Sequence, residues 1–327
     1  MNHKQCHCVT AHAVAINPVD MGKQAAGDAM LTWTKYPFVL GNDISGTVAE
    51  VRKVDDVTHI VYLKPGDCVV GHAVGTAKEV NKSFTSTFQQ YTVIRSPLVA
   101  KIPDTLSFEG ACVLPLALST AACGLFMKCF FALQYPVARE YISADTRPAV
   151  VIKGGSTSVG INGIQLAKAA SYEVFTTASP KNFEYDPGAL GYLIEALQNK
   201  NCAGASTIGK GSLEACVTIV TSVFGRRFVS QATIPLGPPK GTLGLIAAVI
   251  SFIWWNLFDS DLMMNEVFSM IFNEFLSEAL ANRTFVAKPD PQVVGKSLEF
   301  IQTGLDTYKQ VTSVKKIVIS LQETDRA

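Results

Sequence analysis

The run VVIKGGSTSVGINGIQLAKAA, residues 150–170, constrains the fold of this chain more than any other stretch. Apolar, mostly β-branched residues at 150–152 read as a strand. They lead into Gly154, Gly155, Ser156, Thr157 and Ser158, after which Val159, Ile161, Ile164, Leu166 and Ala167 recur at helical spacing. A turn of this kind, set against the amino end of a helix, gathers unpaired N–H groups and partial positive charge where a diphosphate can sit. Gly155 and Gly160 take the first and third positions of the dinucleotide fingerprint, with Thr157 where the middle glycine would stand. An ordinary tight turn reads the same way in isolation, so the surroundings carry the weight.

Those surroundings alternate strand with helix. Strands are predicted at 150–152, 173–177, 203–208 and 227–232, and helices at 159–170, 189–199 and 212–223, which implies right-handed crossovers and a parallel sheet. Residues 8–125 read instead as short strands between turns (CVTAHAVAI, ISGTVAEV, HIVYLKPGDCVVG, FQQYTVI), a small barrel-like β domain in which Tyr91 is expected to pack. Ser107 reads as a helix cap three residues ahead of Gly110. Residues 293–309 form an amphipathic pattern, and KKIVISL a closing strand. A chain of 327 residues accommodates two such domains.

A net charge of +1 provides no field for nucleic acid or an anionic membrane. The eight cysteines show no Cys-x-x-Cys pairing, and the first residues lack the layout of a signal peptide, so a reducing, cytoplasmic setting is expected. The uncharged stretch at 242–258 is short for a membrane span and is expected to be a buried or pocket-lining helix.

At the end of the second strand of the alternating region, an NAD-binding unit places an acidic side chain on the ribose 2′-hydroxyl. Here the residues are Ala178 and Ser179, then Lys181 and Asn182. A hydroxyl, an ammonium and an amide suit a 2′-phosphate, so NADP(H) is favoured over NAD(H). A solvated loop lysine is the plainer reading of Lys181.

AINPVD (15–20), YPFVLGNDISGTVAEV (36–51), KPGDCVVG (64–71), LPLALSTAACGLF (114–126), GGSTSVGINGIQLAKAA (154–170) and TTASPKNF (176–183) follow one another in an order that resembles the zinc-independent branch of the medium-chain dehydrogenase/reductase superfamily. Within it the chain is most similar to fungal trans-acting enoyl reductases that assist polyketide synthases. The resemblance implies a GroES-like β-barrel substrate domain, residues 1–120 with 286–327, and a doubly wound Rossmann domain, residues 121–285, binding NADP(H). It implies that Val19, Asp20 and Met21 lie beside the cofactor, and that Gly155, Ser156, Thr157, Ser158, Val159 and Gly160 meet the diphosphate. Ser179, Lys181 and Asn182 would hold the 2′-phosphate, while Tyr185 and Lys316 match cofactor contacts more loosely. Ser119, Thr120, Ala121 and Cys123 would approach the substrate, with the Thr120 hydroxyl orienting the nicotinamide as the catalytic group.

Zinc-dependent members carry a cysteine where Asn17 falls and Gly-His-Glu where Gly41 to Asp43 fall, so no metal is expected. Two departures from the family pattern stand out. The usual first hairpin is expected to be missing, and SPKNFEYDPGALGYLIEAL is too short for the usual strand and helix, so one edge strand of the Rossmann sheet is expected to be missing as well. The implied reaction is hydride transfer from NADPH to the β-carbon of an activated alkene. A stand-alone enone or quinone reductase and a catalytically impaired cofactor-binding partner protein remain as alternatives.

Overall fold

The computed structural model describes residues 5–52, 63–139, 147–177, 187–207, 213–231, 250–252, 265–310 and 315–321. Its contacts divide the chain into two units, residues 1–119 with 258–327, and residues 120–257.

The first unit is built on an antiparallel ladder. Strand β1 (Cys6–Ala15) pairs along its length with β2 (Asp43–Arg52), and β2 with β3 (Cys68–His72), while β4 (Tyr91–Arg95) joins β1 and β5 (Val99–Lys101) joins β3. Along these strands, inward apolar residues such as Val9, Ile44, Val48, Val70 and Ile94 are sealed from solvent. Tyr91 is an exception to its expectation. It stands 57% exposed at the start of β4, because its place in the alternation faces outward.

Helix α1 (Pro18–Ala26) follows β1 directly. Its start is fixed by a capping box in which the Asn17 N–H donates to Asp20 Oδ2 at 2.8 Å. Helices α2 (Phe108–Ala111) and α3 (Pro115–Phe126) follow β5, and Ser107 caps α2 as predicted, its Oγ accepting from Gly110 N at 3.0 Å. Among the described residues, only the stretch 108–126 is long and apolar enough to cross a membrane, and it is largely buried within the fold.

Residues 266–281 form a helical run whose apolar side, including Phe268, Ile271, Phe272 and Phe275, is buried against β5. This places the run in the first unit, ahead of the return at 286 expected from the sequence. An apolar helix does not reveal in its own residues which sheet it covers. The predicted helix over 293–309 begins later than its pattern suggested. Residues 290–295 form strand β11 (Asp290–Gly295), parallel to β12 (Lys315–Ser320), and the helix occupies Ile301–Gln310. Pairing with β12 outweighs the helical spacing of Val293 and Val294.

The second unit is a parallel sheet. Strands β6 (Ala149–Lys153), β7 (Glu173–Thr177), β8 (Cys202–Thr207), β9 (Val229–Gln231) and β10 (Ile250–Phe252) lie in the order β10-β9-β8-β6-β7. Helix α4 (Ser158–Ala169) covers the face of Ile152, and α5 (Pro187–Leu197) and α6 (Leu213–Ser222) cover the face carrying Ala149 and Val151, so the sheet is doubly wound. Among the described residues β7 is the terminal strand of this sheet, with mostly half-buried side chains. The expected helix over 242–258 is contradicted at its described residues, since Ile250–Phe252 pair as a strand with β9. Short, β-branched and aromatic apolar runs suit either element, and the sheet edge decides.

Candidate active site

Chain order reverses between β6 and β8, and ligands of open parallel sheets bind outside the carboxyl ends of the strands at such a point. The glycine turn leaves the sheet there, directly after Lys153. Gly154 adopts φ +88°, a left-handed conformation natural to glycine, and the N–H groups of Gly154 and Gly155 donate to Thr177 O at 3.2 and 3.1 Å, tying the turn to the end of β7. Thr157 caps α4. Its Oγ1 accepts from Gly160 N at 3.0 Å and donates to Gly154 O at 2.8 Å.

The residue in the middle position of the fingerprint therefore strengthens the turn. The flanking glycines are required for room, since a Cβ on Gly160 would lie 2.1 Å from Gly154 O and one on Gly155 would lie 2.2 Å from Thr176 Oγ1. Ser156, Ser158 and Val159 are half-buried around the mouth of the turn. The amides at the first two positions of α4 have no acceptor within the helix. The strand, turn and helix start are thus assembled as the sequence predicts, and a turn of this shape and polarity suits a diphosphate. Ser179, Lys181, Asn182 and Tyr185 lie outside the described residues.

The first unit holds a buried polar cluster, assembled by register. Val318 on β12 lies beside Ala15 on β1, Ala15 beside Asp43 on β2, and Asp43 beside His72 on β3, so one row across the sheet delivers the groups to one place. Asp43 Oδ2 accepts from Asn17 Nδ2 at 2.9 Å and lies 3.0 Å from Lys316 Nζ, which also donates to Asn17 Oδ1. Asp43 Oδ1 accepts from Leu116 N at 2.7 Å, at the start of α3. Asp20 accepts from Asn17 N at 2.8 Å and from Gly41 N at 3.1 Å. Asp43, Asn17, Asp20 and Lys316 are all buried.

Burial pushes the Asp20 carboxyl up to about 7, reinforced by the negative charge of Asp43 and opposed by the two N–H groups and by Lys316. Burial likewise holds the His72 imidazole down to about 4, so it is neutral at physiological pH, and its Nδ1 lies 2.9 Å from Ser119 Oγ.

Of the residues foreseen from the sequence, Gly155 to Gly160 come together in one turn. Asp20 and Lys316 come together in the buried cluster, with Val19 buried and Met21 half-buried on the same helix. Ser119, Thr120, Ala121 and Cys123 follow one another along α3, each buried, with Ser119 fully so. His72 was missed. In CVVGHAVG it is one polar residue in an apolar strand, and only the register sets it against Asp43.

The positions where zinc-dependent enzymes carry cysteine and histidine hold Asn17 and Asn42, and an ammonium lies against Asn17. This amide, carboxylate and ammonium set is a poor fit to zinc, which takes thiolate and imidazole ligands. Among the described residues, no group of three or more His, Cys, Asp or Glu is placed to hold a metal ion.

Residues 4–104 match the family model described as an alcohol dehydrogenase GroES-like domain. The chain is 42% identical to dehydrogenase pigH of Monascus ruber, covering 94% of this chain and 90% of that protein. It is 33% identical to trans-enoyl reductase himH of Aspergillus japonicus, covering 95% and 88%. Among solved structures it is similar to mycobacterial Rv1454c complexed with NADPH, with a TM-score of 0.64, 18% identity, and coverage of 96% of this chain and 91% of that one.

Proposed function

The chain belongs to the medium-chain dehydrogenase/reductase superfamily, and from that premise we propose that it is an NADPH-dependent, zinc-independent enoyl reductase. It is an oxidoreductase that uses a nicotinamide cofactor on a small-molecule substrate. The finer reading is that the substrate is an α,β-unsaturated acyl thioester supplied by a polyketide synthase. A relative named as a trans-enoyl reductase, matched over nearly the whole chain, supports it.

The observation that carries the proposal is the glycine turn at the switch point of the parallel sheet, closed by Thr157 and too tight at Gly160 for any side chain. Bound there, the cofactor supplies the hydride. The chain's residues do the rest by positioning. The amides around Ser156 to Val159 hold the diphosphate; Ser179, Lys181 and Asn182 complement the 2′-phosphate; and the Thr120 hydroxyl orients the nicotinamide ring. The Asn17, Asp43 and Lys316 set supports zinc independence, because its donors suit an ammonium better than a metal.

The test is turnover of an α,β-unsaturated ketone and of an α,β-unsaturated thioester with NADPH carrying deuterium at C4, in the presence and absence of a chelator. Deuterium at the product β-carbon, with no loss of rate to the chelator, is the expected result. Faster turnover of the thioester supports the acyl substrate, and turnover of the ketone alone identifies a stand-alone enone reductase. Absence of reduction of either compound by a folded, NADPH-binding protein refutes the proposal.

A further inference from the structure

Helix α3 begins with two side-chain anchors placed one turn apart. Asp43 Oδ1 accepts from Leu116 N at 2.7 Å, and His72 Nδ1 meets Ser119 Oγ at 2.9 Å. Asp43 and His72 face each other across the antiparallel pair β2 and β3. Such partners are about 5 Å apart, and three residues of helix rise about 4.5 Å, so the two anchors match the spacing of their targets. Two fixed points at this spacing determine both the axial position of the helix and its rotation. The next residue along is Thr120.

We propose that Asp43 and His72 form a cross-strand clamp that positions Thr120, with His72 acting through the hydroxyl of Ser119. This rests on the reading above, in which Thr120 orients the nicotinamide. Asp43 is a sound anchor because its second oxygen is held by Asn17 and Lys316, and because a carboxylate at the amino end of a helix is favoured by the helix dipole. His72 and Ser119 are both buried. His72 Nε2 has no hydrogen-bond partner among the described residues. An unfilled buried N–H is rarer than an unfilled acceptor, so the proton belongs on Nδ1, and the imidazole donates to Ser119 Oγ. Neither His72 nor Asp43 needs to touch the substrate. Both are positioning residues, and His72 lies outside the sequence motifs that carry the family resemblance.

The test compares the full-length protein with His72→Ala, His72→Asn, Ser119→Ala and the His72→Ala/Ser119→Ala double variant. Three readouts are used: kcat for enone reduction, the Kd for NADPH, and amide hydrogen exchange over residues 116–121. A misplacement of about 1 Å can cost about 100-fold in rate. The expected result is a 10- to 100-fold fall in kcat for each single Ala variant, with the NADPH Kd changed by less than about threefold. Since both changes break one link, the double variant is expected to be no slower than the slower single, and His72→Asn, whose amide nitrogen can take the place of Nδ1, to recover most of the rate.

Exchange over 116–121 is expected to quicken at least tenfold in both single Ala variants. Losses that multiply in the double variant, or unchanged kcat and exchange in folded protein, overturn the clamp. If His72→Ala does not fold, Ser119→Ala, which removes one oxygen, decides the question alone. If the wild type shows no NADPH turnover, the functional reading fails, and hydrogen exchange still decides the clamp.

Discussion

Replacing Gly160 with alanine tests the turn where it is tightest. The added Cβ would lie 2.1 Å from Gly154 O, 2.8 Å from Gly154 C and 3.0 Å from Gly155 Cα. All three are backbone atoms, so no side-chain rotation relieves the overlap, and the start of α4 must retreat from β6 by about 1 Å. Gly154 O is also the acceptor for Thr157 N at 2.9 Å and for Thr157 Oγ1 at 2.8 Å, so the retreat strains the bonds that close the turn. Overpacking of this kind costs about 1–3 kcal/mol, and each strained hydrogen bond adds about 1 kcal/mol.

The consequence for the cofactor follows from the same displacement. Hydrogen bonds from the helix amides to a phosphate are worth about 1.5–3 kcal/mol each, so losing one raises the NADPH Kd by roughly 10- to 100-fold. The assay is NADPH titration followed by tryptophan fluorescence, paired with thermal unfolding of the apo protein. The control is Gly191→Ala in the exposed part of α5, where a Cβ meets nothing within 4 Å. There the change is expected to stabilise by about 0.5–1 kcal/mol and to leave the Kd alone. A Gly160→Ala protein that melts with the wild type and binds NADPH as tightly would show that the turn is not the diphosphate cradle.

The buried cluster gives two further predictions. Lys316→Met keeps most of the length of the side chain but leaves the buried carboxylate of Asp43 without its ammonium, 3.0 Å away in the wild type. Urea unfolding should show a loss of about 3–5 kcal/mol, and a loss below about 1 kcal/mol contradicts the ion pair's role. Asp20 is raised to about 7 in the fold, so the folded state holds a proton that the unfolded chain has already released, and the stability it contributes is lost as pH rises from about 4 to about 7. Asp20→Asn removes that dependence. Its stability relative to the wild type should therefore climb by about 1 kcal/mol per pH unit across this window, measured by urea titration at several pH values; a constant difference refutes the shift.

Legibility in the sequence followed the range of the interactions. The turn at 154–160 was readable because a strand, two glycines and a helix cap act within a few residues of one another. The same locality made the Ser107 cap and the sites of β6, β7 and β8 predictable. The assignments that failed depend on partners far along the chain. Residues 250–252 became strand because β9 offers an edge, and 290–295 because β12 does. The helical run 266–281 joined the first unit because its aromatic side fits β5. Lys316, which the resemblance offered only as a loose match to a cofactor contact, is drawn 299 positions back to Asn17. His72 became part of a clamp through one register pair that no local pattern announces.

The central claim is that the turn beginning at Gly154 grips a nicotinamide dinucleotide bearing a 2′-phosphate. Its most direct test is equilibrium titration of the purified protein with NADPH and NADH at one ionic strength, with 2′,5′-ADP as competitor. Saturable NADPH binding, at least tenfold tighter than NADH and displaced by 2′,5′-ADP, is the predicted result. Binding of neither dinucleotide by folded protein contradicts the account, and equal affinity for both contradicts the assignment of Ser179, Lys181 and Asn182 to the 2′-phosphate.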